Sequence, residues 1–225
     1  MPAGPVSGVI QRSTLRQQIA DALRDEVLAG RLPAGHQFTV KEIAEQYGVS
    51  ATPVREALLD LAAQGLLDVE QHRGFCVHTF TAADYRAMVE ARTLVVEGVF
   101  RTRAEELMHG VTSDALVSLR RRAEEAERSA RCGDLDVLIG YDLRFWREFG
   151  NLVGNPCIAD FLDRMRVQGW VFAVPMLRAE ADLRGHLWQG HQELADAVVH
   201  RDVSTAQRLV REYNAHALAL VENLA

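Results

Sequence analysis

The sequence predicts a mainly α-helical protein in two parts, with a small β-hairpin at the end of the first part. Apolar residues recur at helical spacing through most of the 225 residues. A glycine separates two short helical patterns within Phe38–Gly74, and two short extended runs follow them. Beyond residue 80 only helical patterns occur. We therefore expect an N-terminal winged helix-turn-helix, with three helices and a two-stranded wing, followed by an all-α antiparallel helix bundle.

The first helix is predicted over 14–29, where apolar residues form a single stripe that ends at Gly30. The segment 1–11 before it is rich in proline and glycine, which predicts disorder. The segment 32–38 after it is predicted as a turn.

The next two helices are short and closely spaced. Thr39 is placed to cap the first, and Gly48 ends it, because glycine adopts the left-handed conformation without steric cost. Ser50 offers a cap for the second, and Pro53 lies in its first turn, where a missing N–H is tolerated. The inner face of the second helix is apolar, while its exposed N-terminal end carries Thr52 and Arg55. This arrangement indicates a helix-turn-helix.

The two extended runs distinguish this region from an ordinary αα-hairpin. The first contains Leu66, Leu67 and Val69, and the second covers 75–78. Between them lies the turn 71–74, which carries a histidine and an arginine. A hairpin with a basic tip directly after the second helix is typical of a wing.

The second part is predicted to contain short-linked helices, which should form an antiparallel bundle. Thr81 and Asp84 predict the start of the first of these helices. Pro175 lies inside one of the later segments, 170–182, where a proline would disturb a helix. The predicted helical segments are 82–108, 113–132, 135–153, 156–169, 170–182, 186–200 and 203–223.

Composition excludes several classes of protein. The chain has no apolar run of membrane-spanning length and no signal-peptide pattern at its start. Its three cysteines are far apart, which fits a reducing cytoplasm and no zinc site. The net charge of −6 argues against nucleic-acid binding on charge alone. Whether the chain can bind DNA therefore depends on where its arginines and Lys41, the only lysine, are placed.

Five polar residues of the second part lie on otherwise apolar helical stripes. Each alone could be a satisfied core residue, since buried polar groups usually find partners. Together, on four helices of one bundle, they favour a shared polar cavity. These residues are Arg92, Asp142, His191, Tyr213 and His216.

The stretch GVSATPVREALLDLAAQGLL followed by QHRGFCV resembles the winged helix-turn-helix of the GntR family of bacterial transcription factors, over 12–80. The remainder, 81–225, is similar to the FCD ligand-binding domain that defines the FadR-type branch of that family. The resemblance implies a cytoplasmic homodimer that binds a palindromic double-stranded DNA operator and has no membrane partner. The implied DNA contacts are Lys41, Ser50, Thr52, Pro53, Arg55, His72, Arg73 and Gly74.

The resemblance also implies a small organic-acid effector in the second domain. Its carboxylate would bind Arg92, because a guanidinium holds a carboxylate through two parallel hydrogen bonds. The expected effector-binding residues are Arg92, Asp142, Trp146, His191, Tyr213 and His216. Many FCD domains hold a divalent metal through one aspartate and three histidines. Asp142 and His191 match two of those positions, but Trp146 and Tyr213 stand where histidines are expected, so we expect no metal cofactor. If a metal were bound, its ligands would be Asp142, His191 and His216.

The leading interpretation is thus an effector-responsive transcription regulator, which we expect to be a ligand-responsive repressor. The sequence leaves open whether the effector releases or promotes DNA binding. One alternative is a small helical enzyme, either metal-dependent or using Asp142 and His191, although no nucleophile motif or phosphate loop supports it. Another is an interaction module that has lost DNA binding, because Ala51 stands where the family usually has arginine. Arg92 could also be a structural ion-pair partner, for example of Asp142.

Overall fold

The computed structural model describes residues 14–71, 73–109 and 112–224. Backbone packing divides them into two compact units. The first contains the residues up to Val27 and then Leu32–His78, and the second contains Leu28–Arg31 and the chain from Thr79 onward. The segment 1–11, for which disorder is predicted, lies outside the described residues, as does His72 at the predicted wing tip.

The first unit has the predicted three helices, α1 to α3, and a small antiparallel sheet in the order β1-β3-β2. One face of each helix is buried, as amphipathic helices require, together with Phe38 of β1, Leu67 of β2, and Phe75 and Val77 of β3. The elements are α1 Leu15–Leu28, β1 Gln37–Phe38, α2 Val40–Tyr47, α3 Ala51–Ala63, β2 Leu67–Glu70 and β3 Gly74–Val77.

The wing differs from its prediction, because its sheet has three strands among the described residues, whereas two were predicted. Part of the predicted turn 32–38 forms β1, in which Phe38 pairs with Phe75 of β3 and is buried. A strand of two residues has no alternation that a sequence pattern could reveal. The close approach of β1 also requires glycine at 74, which has a φ of 105°, because a Cβ there would lie 2.5 Å from the Phe38 carbonyl oxygen.

In its described residues the second unit contains helices joined by turns, and no strand. Helices α4, α7 and α9 pack against one another, α5 packs on α6 and α8, and α6 packs on α7. The apolar core lies among these helices and is centred on aromatic side chains of α6, including Phe145 and Trp146. The elements are α4 Ala82–His109, α5 Ser113–Cys132, α6 Leu135–Asn151, α7 Pro156–Ala179, α8 His191–Val199 and α9 Val203–Leu224.

Two predicted helix boundaries in this unit are wrong. The segments 156–169 and 170–182 are a single helix, α7, which continues through Pro175. Pro175 is exposed and lies about one turn before the helix ends at Ala179, so the single hydrogen bond that its missing N–H removes lies close to the C-terminal end of the helix. The helix predicted over 186–200 begins only at His191, because 180–190 forms turns that bury Leu183 and Leu187 without helix.

Helix α4 is long, as predicted, but it is not regular. Arg103 has non-helical dihedral angles, with φ −137° and ψ 17°, so the helix is kinked there. Thr81 and Asp84 cap its start as predicted, since each side chain accepts a hydrogen bond from the other residue's backbone N–H. No helix in the described part of the chain is long and apolar enough to span a lipid bilayer.

Candidate functional site

The helix-turn-helix is fixed by local hydrogen bonds that its sequence specifies. Thr39 accepts a hydrogen bond from the Glu42 N–H at 3.2 Å, and the Glu42 carboxylate accepts one from the Thr39 N–H at 2.7 Å. The hydrogen bonds from Thr39 to the Glu42 carboxylate lower the pKa of Glu42. Gly48 has the expected left-handed conformation, with a φ of 64°. The Thr39–Glu42 pair therefore defines where α2 begins, and Gly48 defines where it ends before α3.

Helix α3 presents a polar face to solvent at its N-terminal end. Its inner side buries Val54, Ala57, Leu58 and Leu61, while Arg55 is exposed. The backbone of Ser50 has the conformation of a helix cap, but its side chain forms no capping hydrogen bond, contrary to our expectation. The exposed positions among the predicted DNA contacts are Lys41, Ser50, Thr52, Arg55 and Arg73; Pro53 and Gly74 are half-buried. Their contact with DNA remains a prediction.

The second unit contains a cavity between α4, α6, α7 and α9 and the turn before α8. Its volume is about 60 Å³, where one water needs about 10–15 Å³ by the same measure. The cavity can therefore hold several waters or one small molecule. Most of its wall is apolar, and its polar lining includes Arg92, Asp142, Arg166, His191 and Tyr213. The apolar and aromatic lining includes Leu138, Ala173, Leu177, Leu187, Trp188 and Leu220.

Asp142 is the hydrogen-bonding centre of this site. Its Oδ1 accepts hydrogen bonds from Trp146 Nε1 at 3.0 Å and from His191 Nε2 at 2.9 Å. Its Oδ2 accepts from Trp170 Nε1 at 2.8 Å and from the Tyr213 hydroxyl at 3.1 Å. These contacts use the lone pairs of the carboxylate, so Asp142 has little capacity left to accept from a ligand.

The electrostatics of Asp142 follow from these donors. Burial alone would raise its pKa, but the hydrogen bond and charge of His191, the Trp170 hydrogen bond and the charge of Arg166 outweigh burial and lower the pKa. The carboxylate is therefore ionised at neutral pH and can only accept hydrogen bonds. Burial, followed by the Asp142 charge, raises the pKa of Tyr213, so its hydroxyl keeps its proton and donates it.

Arg92 of α4 is 4% exposed and lies with its guanidinium carbon 5.2 Å from the centre of the Tyr213 ring. Among the described residues, its Nε and Nη2 are buried without a hydrogen-bond partner, and it forms no ion pair with Asp142 or another carboxylate. The structural role considered for Arg92, an ion pair with Asp142, is therefore wrong. A buried guanidinium with unused donors is costly and indicates a place for an anion.

Arg166 of α7 is a second buried cation at the cavity, 3% exposed, which the sequence reasoning missed. Its guanidinium lies 4.3 Å from the centre of the Trp146 ring, and Nη1 makes a long contact of 3.5 Å with the Leu162 carbonyl oxygen. Its Nε is buried with no partner in the described part of the chain. Burial and the charge of Arg92 lower the pKa of Arg166 to about 10, so it remains protonated at neutral pH.

A signal for Arg166 was present in the sequence. It lies on an apolar stripe with Leu162, Gly169 and Ala173, at the same helical spacing that singled out Arg92. The predicted break between residues 169 and 170 interrupted this stripe and also hid Trp170, one turn beyond Arg166. Tyr85 was missed as well; it lines the cavity and donates a hydrogen bond to the Ala217 carbonyl at 3.0 Å.

The structure brings the sequence-predicted cavity residues together, with one exception. Arg92, Asp142, His191, Tyr213 and His216 all line the cavity. Trp146 is 1% exposed and lies outside the lining, where it contacts the site through its hydrogen bond to Asp142. Burial lowers the pKa of the half-buried His216, partly offset by the His186 backbone, so this ring is neutral at neutral pH. Effector binding by these residues remains a prediction.

The residues do not fit the divalent metal that the FCD resemblance implies. Trp146 and Tyr213, in the two substituted ligand positions, both donate hydrogen bonds to Asp142. His191 uses Nε2 in the same way. Within residues 14–71, 73–109 and 112–224, no three His, Cys, Asp or Glu side chains are grouped so that they could hold a metal ion. Transition metals in proteins need three or four such ligands.

A winged helix-turn-helix and a helical unit with a buried, arginine-lined cavity together define a ligand-responsive DNA-binding regulator. The family models agree with this class: residues 15–77 match bacterial regulatory proteins of the gntR family, and residues 101–216 match the FCD domain. The chain therefore belongs to the GntR family of transcription regulators, in the branch that carries an FCD domain.

Several known regulators are similar to this chain over most of their length. The chain is 28% identical to a probable D-xylose utilization operon transcriptional repressor of Paenarthrobacter nicotinovorans, over 91% of this chain and 87% of the relative. It is 26% identical to the HTH-type transcriptional regulator McbR of Escherichia coli, over 85% and 86%. Among solved structures, E. coli McbR/YncC matches with a TM-score of 0.76 at 22% identity, over 95% of this chain and all of that one. A GntR-type regulator from Rhodococcus matches with a TM-score of 0.69 at 20% identity, over 92% and 97%.

Proposed function

We propose that this protein is a cytoplasmic repressor that binds a palindromic operator as a homodimer and responds to a small organic acid in the cavity of the second unit. The observation that carries the effector proposal is Arg92, whose Nε and Nη2 are buried without partners among the described residues. Such a group is stabilised when an anion accepts its hydrogen bonds.

The DNA-binding part of the proposal rests on the exposed end of α3. Arg55, Thr52 and Ser50 share this end, and Lys41 of α2 is 84% exposed. A recognition helix contacts base edges with its N-terminal residues, and an arginine can bind guanine through two hydrogen bonds. We propose Pro53, His72, Arg73 and Gly74 as the remaining DNA contacts. The domain limits that go with this assignment are 12–80 for DNA binding and 81–225 for effector binding and dimerisation.

The dimer follows from how such proteins read DNA. Two recognition helices must be held about 34 Å apart to contact successive half-sites of a palindrome. Helix α4 exposes Leu94, which is 63% exposed and is a candidate contact with the second protomer. Light scattering at micromolar concentration should give the mass of a dimer, and a monomer would contradict this part of the proposal.

The test of the function is selection of bound fragments from random-sequence double-stranded DNA by the full chain. We expect enrichment of a two-fold symmetric site, bound with a dissociation constant far below that for unselected DNA. Small organic acids are then added to the selected complex, and at least one of them should change the affinity of the protein for its DNA site. If no sequence is enriched, the protein is not a sequence-specific regulator. If a site is enriched but no acid changes its binding, the effector proposal is wrong.

A further inference from the structure

The charges around the cavity do not balance. Arg92 and Arg166 are both cationic, and both are less than 5% exposed. Asp142 is the one carboxylate in the described lining, and its four hydrogen-bond donors already stabilise it. Two guanidinium groups therefore face a single carboxylate, and one buried positive charge has no carboxylate of the described lining to compensate it. Burying an uncompensated charge is unfavourable, so the site favours a ligand that brings a negative charge.

Hydrogen-bonding capacity points to the same kind of ligand. The Nε and Nη2 of Arg92 and the Nε of Arg166, here called the open guanidinium nitrogens, are buried without partners within the described residues. All three are donors and cannot accept. A carboxylate is an acceptor with two oxygens and about four lone-pair positions, so one carboxylate can accept from both arginines.

The rest of the wall describes the body of the ligand. Most of the wall is apolar, and leucine and alanine side chains and the half-buried Trp188 ring contribute to it. A second carboxylate placed against that wall would lose its hydration without gaining a cation. The cavity volume of about 60 Å³ limits the ligand to a few non-hydrogen atoms beyond its charged group, unless the wall moves.

We propose that Arg92 and Arg166 together bind the single carboxylate of a small monocarboxylic acid, whose uncharged apolar part lies against the leucine, alanine and Trp188 wall. Arg166 is thereby a second ligand-binding residue, and the cavity discriminates against di- and tricarboxylates. This inference rests on the proposed effector site and adds the class of acid that the site selects.

The test uses calorimetry on the full chain with two matched sets of probes. One set is pentanoate, pentanamide and glutarate, and the other is benzoate, benzamide and phthalate. Within each set the molecules differ in having one, no or two negative charges. We expect at least one monocarboxylate to bind, and its amide and its diacid to bind at least about tenfold more weakly, equal to about 1.4 kcal/mol. Failure of both monocarboxylates to bind, or tighter binding of a diacid, would overturn the proposal.

Variants separate ligand binding from a structural role of the arginines. Arg92→Gln and Arg166→Gln should each lower the affinity for the monocarboxylate at least about tenfold. The control Arg164→Gln, at an exposed position on the same helix as Arg166, should leave that affinity unchanged. Without ligand, the two cavity variants should have a Tm equal to or above that of the wild type, because each removes an uncompensated buried charge. A lower Tm with unchanged acid affinity would assign Arg166 a structural role only. Arg166→Lys, which keeps the charge but lacks the planar fork, should bind with intermediate affinity.

The outcome is independent of the DNA experiment. Calorimetry reports acid binding whether or not the protein recognises an operator. Selective monocarboxylate binding without operator enrichment would therefore support this inference and contradict the proposed regulatory function. Operator enrichment without a preference for monocarboxylates would support sequence-specific DNA binding and contradict this inference.

Discussion

Trp146 Nε1 donates a hydrogen bond of 3.0 Å to Oδ1 of Asp142, which lies one helical turn before Trp146 on α6. Tyr213 donates to the other oxygen of the same carboxylate from α9. Both residues occupy positions where the resemblance to FCD domains implies metal-binding histidines. Hydrogen-bond donors thus stabilise the Asp142 charge where a cation would otherwise do so.

This arrangement predicts that a metal site can be created by two substitutions. Trp146→His and Tyr213→His together would surround Asp142 and His191 with two further imidazoles, which gives the number of ligands that Zn²⁺ and Ni²⁺ require. We expect the double variant to bind one Zn²⁺ per chain and the wild type to bind none, measured by calorimetry and by metal analysis after dialysis. The two single variants are the controls and should bind more weakly. Stoichiometric zinc in the wild type would contradict the metal-free interpretation.

The Asp142 network also predicts how stability depends on pH. Because the hydrogen bonds hold the folded-state pKa of Asp142 below its ordinary value of 3.8, the unfolded chain binds this proton more readily than the folded chain. The contribution of Asp142 to the free energy of unfolding is therefore complete above pH 4, roughly its unfolded pKa, and is lost as the pH falls through the folded pKa.

The variant Asp142→Asn tests this. At pH 7 we expect a loss of about 3–5 kcal/mol, because four buried donors lose a charged acceptor. The difference from the wild type should become smaller as the pH falls below about 4. Urea unfolding from pH 3 to pH 8 measures the difference in the free energy of unfolding, and Asp160→Asn at an exposed position is the matched control. A difference that is the same at every pH would show that the charge of Asp142 is not what stabilises the fold.

The exposed arginine of α3 gives a prediction for DNA binding. Arg55→Ala should weaken binding to the selected operator by about 1–3 kcal/mol, the range for a lost contact between arginine and a base. Its Tm should not change, because the side chain is exposed. Fluorescence anisotropy at fixed salt measures the affinity, and Arg101→Ala, which removes an exposed arginine of the second unit, is the control. Equal affinity for wild type and Arg55→Ala would exclude Arg55 from the interface.

The predictions that succeeded depend on local chemistry. The Thr39 cap, the left-handed Gly48 and the apolar face of α3 are each specified within a few residues, so the sequence was sufficient to predict them. The failures depend on contacts that are distant in sequence. Strand β1 exists because Phe38 pairs with Phe75, and no pattern within two residues can show that. Arg166 was missed because its stretch was divided into two predicted helices, 156–169 and 170–182, the second containing Pro175, whereas α7 is continuous.

The cavity chemistry shows the same division. The positions of Asp142 and His191 on apolar stripes predicted that they would meet, and they do, at 2.9 Å. The use made of Trp146 and Tyr213 could not be predicted, because a large aromatic ring on a stripe is usually only core. Their roles follow from the directions of an indole N–H and a hydroxyl, which only the three-dimensional arrangement determines.

The last prediction concerns Trp188, whose ring forms part of the cavity wall and lies against Gly190. A Cβ at position 190 would lie 2.5 Å from Cζ2 of this ring, closer than side chains approach one another, so Gly190→Ala must displace the indole. Since Trp188 also contacts the rings of His191 and Tyr213, its displacement should reach the ligand site. We expect the variant to change acid affinity, measured by calorimetry, while its affinity for the operator without acid stays that of the wild type. Gly185→Ala in the same connection is the control for backbone effects, because a Cβ there would meet nothing within 4 Å, although its φ of 79° makes that substitution strained. If Gly190→Ala leaves the acid affinity unchanged, Trp188 is not part of the site that binds the acid.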